Sequence, residues 1–324
     1  MDKLKSIGFY TLEDARAKNI SPSSPMWRAE IIITSRCNFN CPYCMPLNHL
    51  KGDMPKEDVE LVIEDWCKDG LRNIRFSGGE PTLHKDLINF IDFSNVRGVQ
   101  NIAISSNGSA DPNLYKKLVT AGANDFSISL DACCSSTADI MSNTKGRFDK
   151  IVENIKLLSS LTYVTVGVVL TNKNINELKD IIYFASSLGV ADIRIISAAQ
   201  ENETISLNEV LKLPEELLNK HPILKYRVTH IKNNVKMRGM IDSDADKCYL
   251  LQDDSVVEGK YHFPCVIYLR QLGKPIGEIR RGMREDRVNF FKNFNPLKEE
   301  ICRRTCLDVC VDFNNRCREF KNEY

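Results

Sequence analysis

Cys37, Cys41 and Cys44 stand in the run Thr34-Ser-Arg-Cys-Asn-Phe-Asn-Cys-Pro-Tyr-Cys-Met-Pro, a C-x3-C-x2-C spacing. Thiolates are the usual protein ligands of four-iron clusters, and this spacing supplies three of them while withholding the fourth. One iron is then left open to an outside ligand. The plain alternative is a zinc knuckle or a disulfide cluster, since three cysteines can be part of a zinc site. A second pattern weighs against that alternative: Arg75-Phe-Ser-Gly-Gly-Glu-Pro-Thr-Leu, an apolar run feeding two glycines, an acid and a proline. Without Cβ atoms, Gly78 and Gly79 let backbone approach a ligand closely. Pro81 ends the strand and fixes the turn, and such a turn can bind an amino acid.

The elements that must carry these residues alternate. Strand candidates are Ala29 to Ser35, Asn73 to Gly78, Asn101 to Ser106, Asp125 to Asp131, Tyr163 to Thr171 and Asp192 to Ala198. Between them lie amphipathic segments near Lys56 to Lys68, Leu87 to Ser94, Pro112 to Ala121, Arg147 to Ser159 and Asn176 to Leu188, with apolar residues at three- and four-residue intervals. This alternation predicts an α/β fold with a parallel sheet of six βα units. The cysteine run and the Gly-Gly-Glu-Pro turn fall at the carboxyl ends of the first two strands, where parallel barrels place their ligands. Ser105-Ser-Asn-Gly ends the third, and Ser127-Ile-Ser-Leu-Asp the fourth, where alternation points Ser129 inward. Taken alone, a Ser-Asn-Gly run is a turn and a terminal Asp a cap.

In this order the motifs resemble the radical S-adenosylmethionine (radical SAM) superfamily; Phe39 and Tyr43 also fall where its cysteine signature favours aromatics. The resemblance implies a partial (β/α)6 TIM-like barrel, with a 4Fe-4S cluster on Cys37, Cys41 and Cys44. Its open iron would chelate SAM, whose reductive cleavage gives a 5'-deoxyadenosyl radical that abstracts a substrate hydrogen. Gly78, Gly79 and Glu80 would hold the methionyl end. Through about residue 200 the succession, including Asp192-Ile-Arg-Ile-Ile, is similar to the GTP 3',8-cyclases of molybdenum-cofactor biosynthesis. By that likeness Tyr43, Gly79 and Ser129 contact SAM, while Arg75 and Ser105 face the substrate. Thr165 stands where the cyclases keep a basic residue, and Ala199 where they keep a methionine. Their Cys-x2-Cys with an arginine pair and their terminal Gly-Gly are missing, so the core chemistry is expected to carry over and the GTP substrate is not.

Half of the twelve cysteines fall near the end of the chain: Cys248, Cys265, Cys302, Cys306, Cys310 and Cys317. Cys248 through Gly259 to Cys265 suggests a β-hairpin with a cysteine on either side. With the run Cys302-Arg-Arg-Thr-Cys-Leu-Asp-Val-Cys, this resembles the small twitch or shortened SPASM domain that carries an auxiliary 4Fe-4S cluster. Two fully thiolate-ligated clusters would need more cysteines than are present, so one is expected, on Cys248, Cys265, Cys306 and Cys310 with Cys302 as the leading substitute. Zinc suits four thiolates equally well. The expected domains are an N-terminal extension (1–27), the core barrel (28–220), and a linker with the twitch-like domain (221–324).

Cys133 and Cys134 follow the fourth strand, where a thiol could give a hydrogen atom to a substrate radical; the plain reading is small packed side chains. His49, His84 and His262 could be acids, bases or neither. The run Arg280-Arg-Gly-Met-Arg-Glu-Asp-Arg reads as a solvated helix face. Of the 324 residues, 43% are hydrophobic and 27% charged, an ordinary globular balance. Lys+Arg of 44 against Asp+Glu of 43 disfavours nucleic acid as a partner. With no apolar N-terminal stretch and no apolar run of spanning length, a cytoplasmic protein without membrane contact is expected. The expected partners are a small-molecule or peptide substrate and a flavodoxin- or ferredoxin-type reductant. The short stretch before the core leaves no room for the winged-helix leader-binding domain of many peptide-modifying relatives.

Overall fold

Residues 14–201 and 212–322 are described by the computed structural model. They run in order α1 (Asp14–Asn19), β1 (Arg28–Thr34), α2 (Lys56–Lys68), β2 (Asn73–Gly78), α3 (Leu87–Val96), β3 (Asn101–Ser106), α4 (Pro112–Ala121), β4 (Asp125–Ser129), α5 (Ser135–Ser142), α6 (Phe148–Leu161), β5 (Tyr163–Leu170), α7 (Leu178–Ser187) and β6 (Asp192–Ser197). After them come α8 (Glu215–Lys220), α9 (Pro222–Lys232), β7 (Asp254–Glu258), β8 (Tyr261–Phe263), α10 (Val266–Arg270), β9 (Gly277–Glu278), α11 (Met283–Asn293), α12 (Glu300–Thr305) and α13 (Asp308–Asn322). All six expected strands form, within a residue or two of their expected ends. Helix α5 was not anticipated, because its Ser- and Thr-rich sequence reads locally as a turn. Among the described residues no helix is long and apolar enough to cross a membrane.

The chain forms two compact units. One comprises the described parts of Met1–Arg36, Met45–Ile102 and Arg238–Tyr324; the other, Cys37–Cys44 and Ala103–Met237. In the first, the strand order is β2, β1, β7, β8, β9. β1 lies parallel to both β2 and β7, with Ile31 opposite Phe76 on one side and Val257 on the other. Ala29, Ile31, Ile32 and Ile33 are all buried, the continuous apolar run expected of a strand covered on both faces. The hairpin foreseen between Cys248 and Cys265 is β7–β8, antiparallel with Val257 opposite His262. Its parallel pairing with β1 was not foreseen, since nothing in a hairpin's own sequence says which strand it will flank.

In the second unit β3, β4, β5 and β6 are all parallel, with Phe126 opposite both Ile104 and Val164. A separate apolar cluster in the first unit joins Ala17 of α1 and Ile20 just after it to Tyr249, Leu250, Phe313 and Cys317.

The charge-rich segment is a solvated face only in part: Arg280, Arg281 and Glu285 are exposed, but Arg287 turns inward. Arg287 is 0% exposed, and its guanidinium donates to the carbonyls of Leu251 at 3.0 Å, Phe263 at 2.9 Å and Pro264 at 3.2 Å, and to that of Asp254. Arg284 donates to the carbonyls of Pro22, Gln252, Ser21 and Ser24. Buried carbonyls must be paired, and these two arginines donate to eight carbonyls, all but that of Pro22 buried or part-buried. Met283, one helical turn before Arg287 and equally buried, marks the inward face that the charge pattern hid.

Candidate active site and cysteine clusters

In the second unit the cysteine run is a loop held by side chains rather than by a ladder. Asn38 Nδ2 donates to Ser109 Oγ at 2.8 Å, Asn107 Nδ2 to Asn38 Oδ1 at 2.8 Å, and the Asn40 N–H to the Ser142 carbonyl at 3.1 Å. Gln200 Nε2 closes the other end on the Tyr43 carbonyl at 3.2 Å. The Ser-Asn-Gly run that could have been only a turn therefore anchors this loop through Asn107 and Ser109.

The three thiols lie within electrostatic reach of one another, with Cys37 and Cys44 exposed and Cys41 partly enclosed. Burial, opposed by a hydrogen bond with Tyr43, pushes the Cys41 thiol up to about 11. Donors face Cys37 too: its Sγ accepts from the Phe39 N–H at 3.4 Å and lies 4.0 Å from Asn107 Nδ2. Sulfur atoms that accept hydrogen bonds are what an anionic iron–sulfur cluster requires of its ligands, so the donor set fits that group.

Tyr43 carries a contact that sequence reasoning missed. Its hydroxyl donates to the Asp131 carboxylate, whose other oxygen accepts the Val169 N–H at 2.6 Å. Burial raises Asp131 to about 6, against the pull of the Tyr43 and Val169 hydrogen bonds. Asp131 had only the reading of a terminal cap. The signal available was its position after an apolar strand, where a carboxylate with no following helix turn needs another partner.

Ser129 is exposed at the end of β4 and Ser105 half-buried in β3. Inside the same sheet, Arg194 Nη2 lies 3.5 Å from Ser127 Oγ. It passes over Gly167, where a Cβ would sit 3.4 Å from it. Cys133 Sγ is 3.8 Å from Glu177 Oε2, and burial, with that carboxylate second, pushes its thiol up to about 11. Cys134 next to it is lowered by hydrogen bonds from Ser136 and Thr137. The pair thus divides into a thiol that keeps its proton and one that loses it more easily.

In the first unit the Gly-Gly-Glu-Pro turn is demanded by backbone packing. A Cβ on Gly78 would lie 2.3 Å from the Thr34 carbonyl, and one on Gly79 2.3 Å from that of Arg36. The N–H groups of Gly79 and Glu80 donate to those same carbonyls, each at 2.8 Å. The glycines were expected to make room for a ligand; they also let the end of β2 lie flush on the residues leading into Cys37. Glu80, 0% exposed, is turned into its own loop, Oε1 accepting from the Thr82 N–H at 3.1 Å and from its hydroxyl at 2.6 Å. Arg75 is buried in β2, in register with Glu30.

The histidines are structural. His84 uses Nε2 on the Met54 carbonyl and Nδ1 on the Asp86 N–H, both at 3.1 Å. His49 packs its ring on Tyr261 and Phe263. His262 lies 3.6 Å from Asp286, beyond hydrogen-bond length, and burial drives it down to about 3, so it is neutral.

Five C-terminal cysteines come together in the first unit: Cys310 acts electrostatically on Cys248, Cys265, Cys302 and Cys306, and Cys248 acts on Cys265, Cys302 and Cys306. Cys317 is buried in the apolar cluster of α1 and α13, against which Cys248 and Cys310 also pack. Burial pushes Cys248 up to about 12 and raises Cys265 and Cys302. The hydrogen bond between Cys306 and Cys310 raises the first and lowers the second. Cys265 Sγ accepts the Tyr268 N–H at 3.4 Å, and Asn314 Nδ2 lies 3.9 Å from Cys248 Sγ. Arg287 brings a buried positive charge to Cys248 and Cys265. Crowded thiols with facing donors and one cation suit a group that takes them as thiolates. Among the described residues, no three His, Cys, Asp or Glu side chains form a group that could hold a single metal ion.

Residues 31–185 match the radical SAM superfamily. That segment carries a radical SAM domain. Among curated proteins it is 28% identical over 199 residues to a probable GTP 3',8-cyclase of Sulfurisphaera tokodaii, covering 58% of this chain and 62% of that protein. A second, from Saccharolobus solfataricus, is 30% identical over 180 residues, covering 53% of this chain and 57% of that one. The chain thus spans about three-fifths of these relatives' length. Among solved structures, anSMEcpe with bound AdoMet and Kp18Cys peptide superposes with a TM-score of 0.59 at 15% identity, over 92% of this chain and 98% of that one. SuiB of Streptococcus suis bound to precursor peptide SuiA gives 0.58 at 14%, over 91% and 77%. These likenesses show the fold: an α/β, partial TIM-like barrel.

Proposed function

We propose that this chain reductively cleaves S-adenosylmethionine and abstracts a hydrogen atom from a natural-product or peptide substrate. The observation that carries the reading is the loop of Cys37, Cys41 and Cys44, held by side-chain hydrogen bonds and with donors facing its sulfurs. When bound, cluster and SAM supply the 5'-deoxyadenosyl radical chemistry. The chain's own residues then bind and orient. Tyr43 and Asp131 hold the loop against β4, Gly78, Gly79 and Glu80 shape the turn for the methionyl group, Ser129 contacts SAM, and Arg75 and Ser105 face the substrate. Cys133 and Cys134, after β4, are the candidate hydrogen-atom donors to a substrate radical. Residues 221–324 form a linker and the twitch-like domain, with a second cluster on four of its five gathered cysteines. The reductant is of the flavodoxin or ferredoxin type, and the protein works in the cytoplasm.

The relatives' names support a second reading, a GTP 3',8-cyclase. Against it stands Thr165, buried with a hydroxyl that has no partner among the described residues, where those enzymes keep a basic group. The peptide-bound neighbours support a peptide substrate.

Anaerobic reconstitution tests these readings together. It is expected to give about eight irons per chain and 5'-deoxyadenosine from SAM and dithionite. Cys37, Cys41 and Cys44 changed together to Ala should abolish SAM cleavage, and unaltered cleavage would sink the proposal. GTP consumption would move the assignment to the cyclase. Zinc retained in anaerobically purified protein, with full turnover after its removal, would leave the C-terminal site a structural clamp.

A further inference from the structure

Arg270 ends α10, a helix that begins directly after Cys265. Its Nη1 donates to the Met45 carbonyl at 2.9 Å and its Nη2 to the Gly78 carbonyl at 3.2 Å. Met45 follows Cys44 in the chain, and Gly78 opens the Gly-Gly-Glu-Pro turn. One guanidinium thus ties the residue after the last core cysteine to the turn for the methionyl group, from a helix whose other end is a C-terminal cysteine. A planar fork holds two carbonyls at a fixed spacing, which an ammonium cannot do. The helix is short and anchored: Tyr268 and Leu269 are buried, and the Leu269 N–H donates to the Cys265 carbonyl at 3.1 Å. Fixing Cys265 therefore fixes where Arg270 reaches.

We infer that Arg270 is a positioning residue that couples the C-terminal cysteine group to the SAM-binding turn, so that loading the former tightens SAM binding at the latter. The inference rests on the radical SAM and second-cluster readings above. By linkage the coupling is reciprocal, and SAM stabilises the loaded C-terminal site by the same factor.

Calorimetric SAM titration of the anaerobically reconstituted full chain tests it, with iron counted for every variant. Arg270→Gln should weaken SAM binding about fivefold to tenfold in the loaded chain, and Arg270→Lys by less. In a Cys248→Ala/Cys265→Ala background, which should itself bind SAM more weakly, adding Arg270→Gln should cost less than about twofold, because coupled sites are not additive. An equal loss in both backgrounds, or no loss in either, overturns the coupling. If Arg270→Gln loses the first cluster, Arg270→Lys carries the same comparison across the two backgrounds. A wild-type chain that binds no SAM defeats the function itself. Iron for only one cluster defeats the second-cluster reading. Full iron with unchanged SAM affinity in Arg270→Gln defeats the coupling alone.

Discussion

The two cysteine groups are built in opposite ways. Cys37, Cys41 and Cys44 sit on a loop with two thiols exposed, tethered by polar side chains such as Asn38, Asn107 and Tyr43. Cys248, Cys265, Cys302, Cys306 and Cys310 are gathered from a 3-10 turn, a hairpin end and two helices, beside a fully buried arginine. A loop close in sequence can bring three ligands together by spacing alone. Ligands more than fifty residues apart need a folded frame, and here Arg287 helps to make it by pairing carbonyls next to both Cys248 and Cys265. The contrast teaches that the first site is local and adjustable, while the second is part of the core.

Arg287→Met should have the largest effect on this contrast. It leaves several buried carbonyls unpaired, and a cost of about 3 to 5 kcal/mol is expected, read as a fall in denaturant midpoint of the iron-free chain. Loss of under about 1 kcal/mol would mean the C-terminal frame does not depend on it.

Gly79→Ala should come next. Its Cβ would meet the Arg36 carbonyl at 2.3 Å, and backbone there cannot move without shifting the lead-in to Cys37. Destabilisation of about 1 to 3 kcal/mol is expected, as for overpacking, together with weaker SAM binding. Weaker binding at unchanged stability would show that the ligand, and not backbone packing, demands the glycine.

Tyr43→Phe should be mildest. It removes one hydroxyl from an adaptable loop, but leaves buried Asp131 short of a donor, so about 1 to 2 kcal/mol is expected with the first cluster still assembling. Iron lost on the scale of a whole cluster would break the comparison, since the loop would then depend on its tether as heavily as the C-terminal site on Arg287. Asp131→Asn beside it sharpens the result: the amide oxygen can still accept the Val169 N–H while its NH2 donates to the Tyr43 oxygen, so it should cost less.

Much of the molecule was legible in the chain because its determinants are local. Apolar runs of strand length and amphipathic segments between them specify βα units without reference to distant residues, and all six strands formed within a residue or two of expectation. The C-x3-C-x2-C loop carries its grouping in its own spacing, and the flanks of β7–β8 were marked by Cys248 and Cys265. Other features depend on what lies opposite. The inward turn of Arg284 and Arg287 follows from carbonyls in distant loops that required donors, so a charged helix that reads as solvated is half core. Asp131 became the anchor of Tyr43, and Arg270 the tie between Met45 and Gly78, through separations of 88, 225 and 192 residues. Gathering five C-terminal thiols while leaving Cys317 in an apolar cluster likewise took the tertiary fold, because helix and hairpin packing decides which sulfurs meet, and sequence spacing near the end of the chain is compatible with several sets.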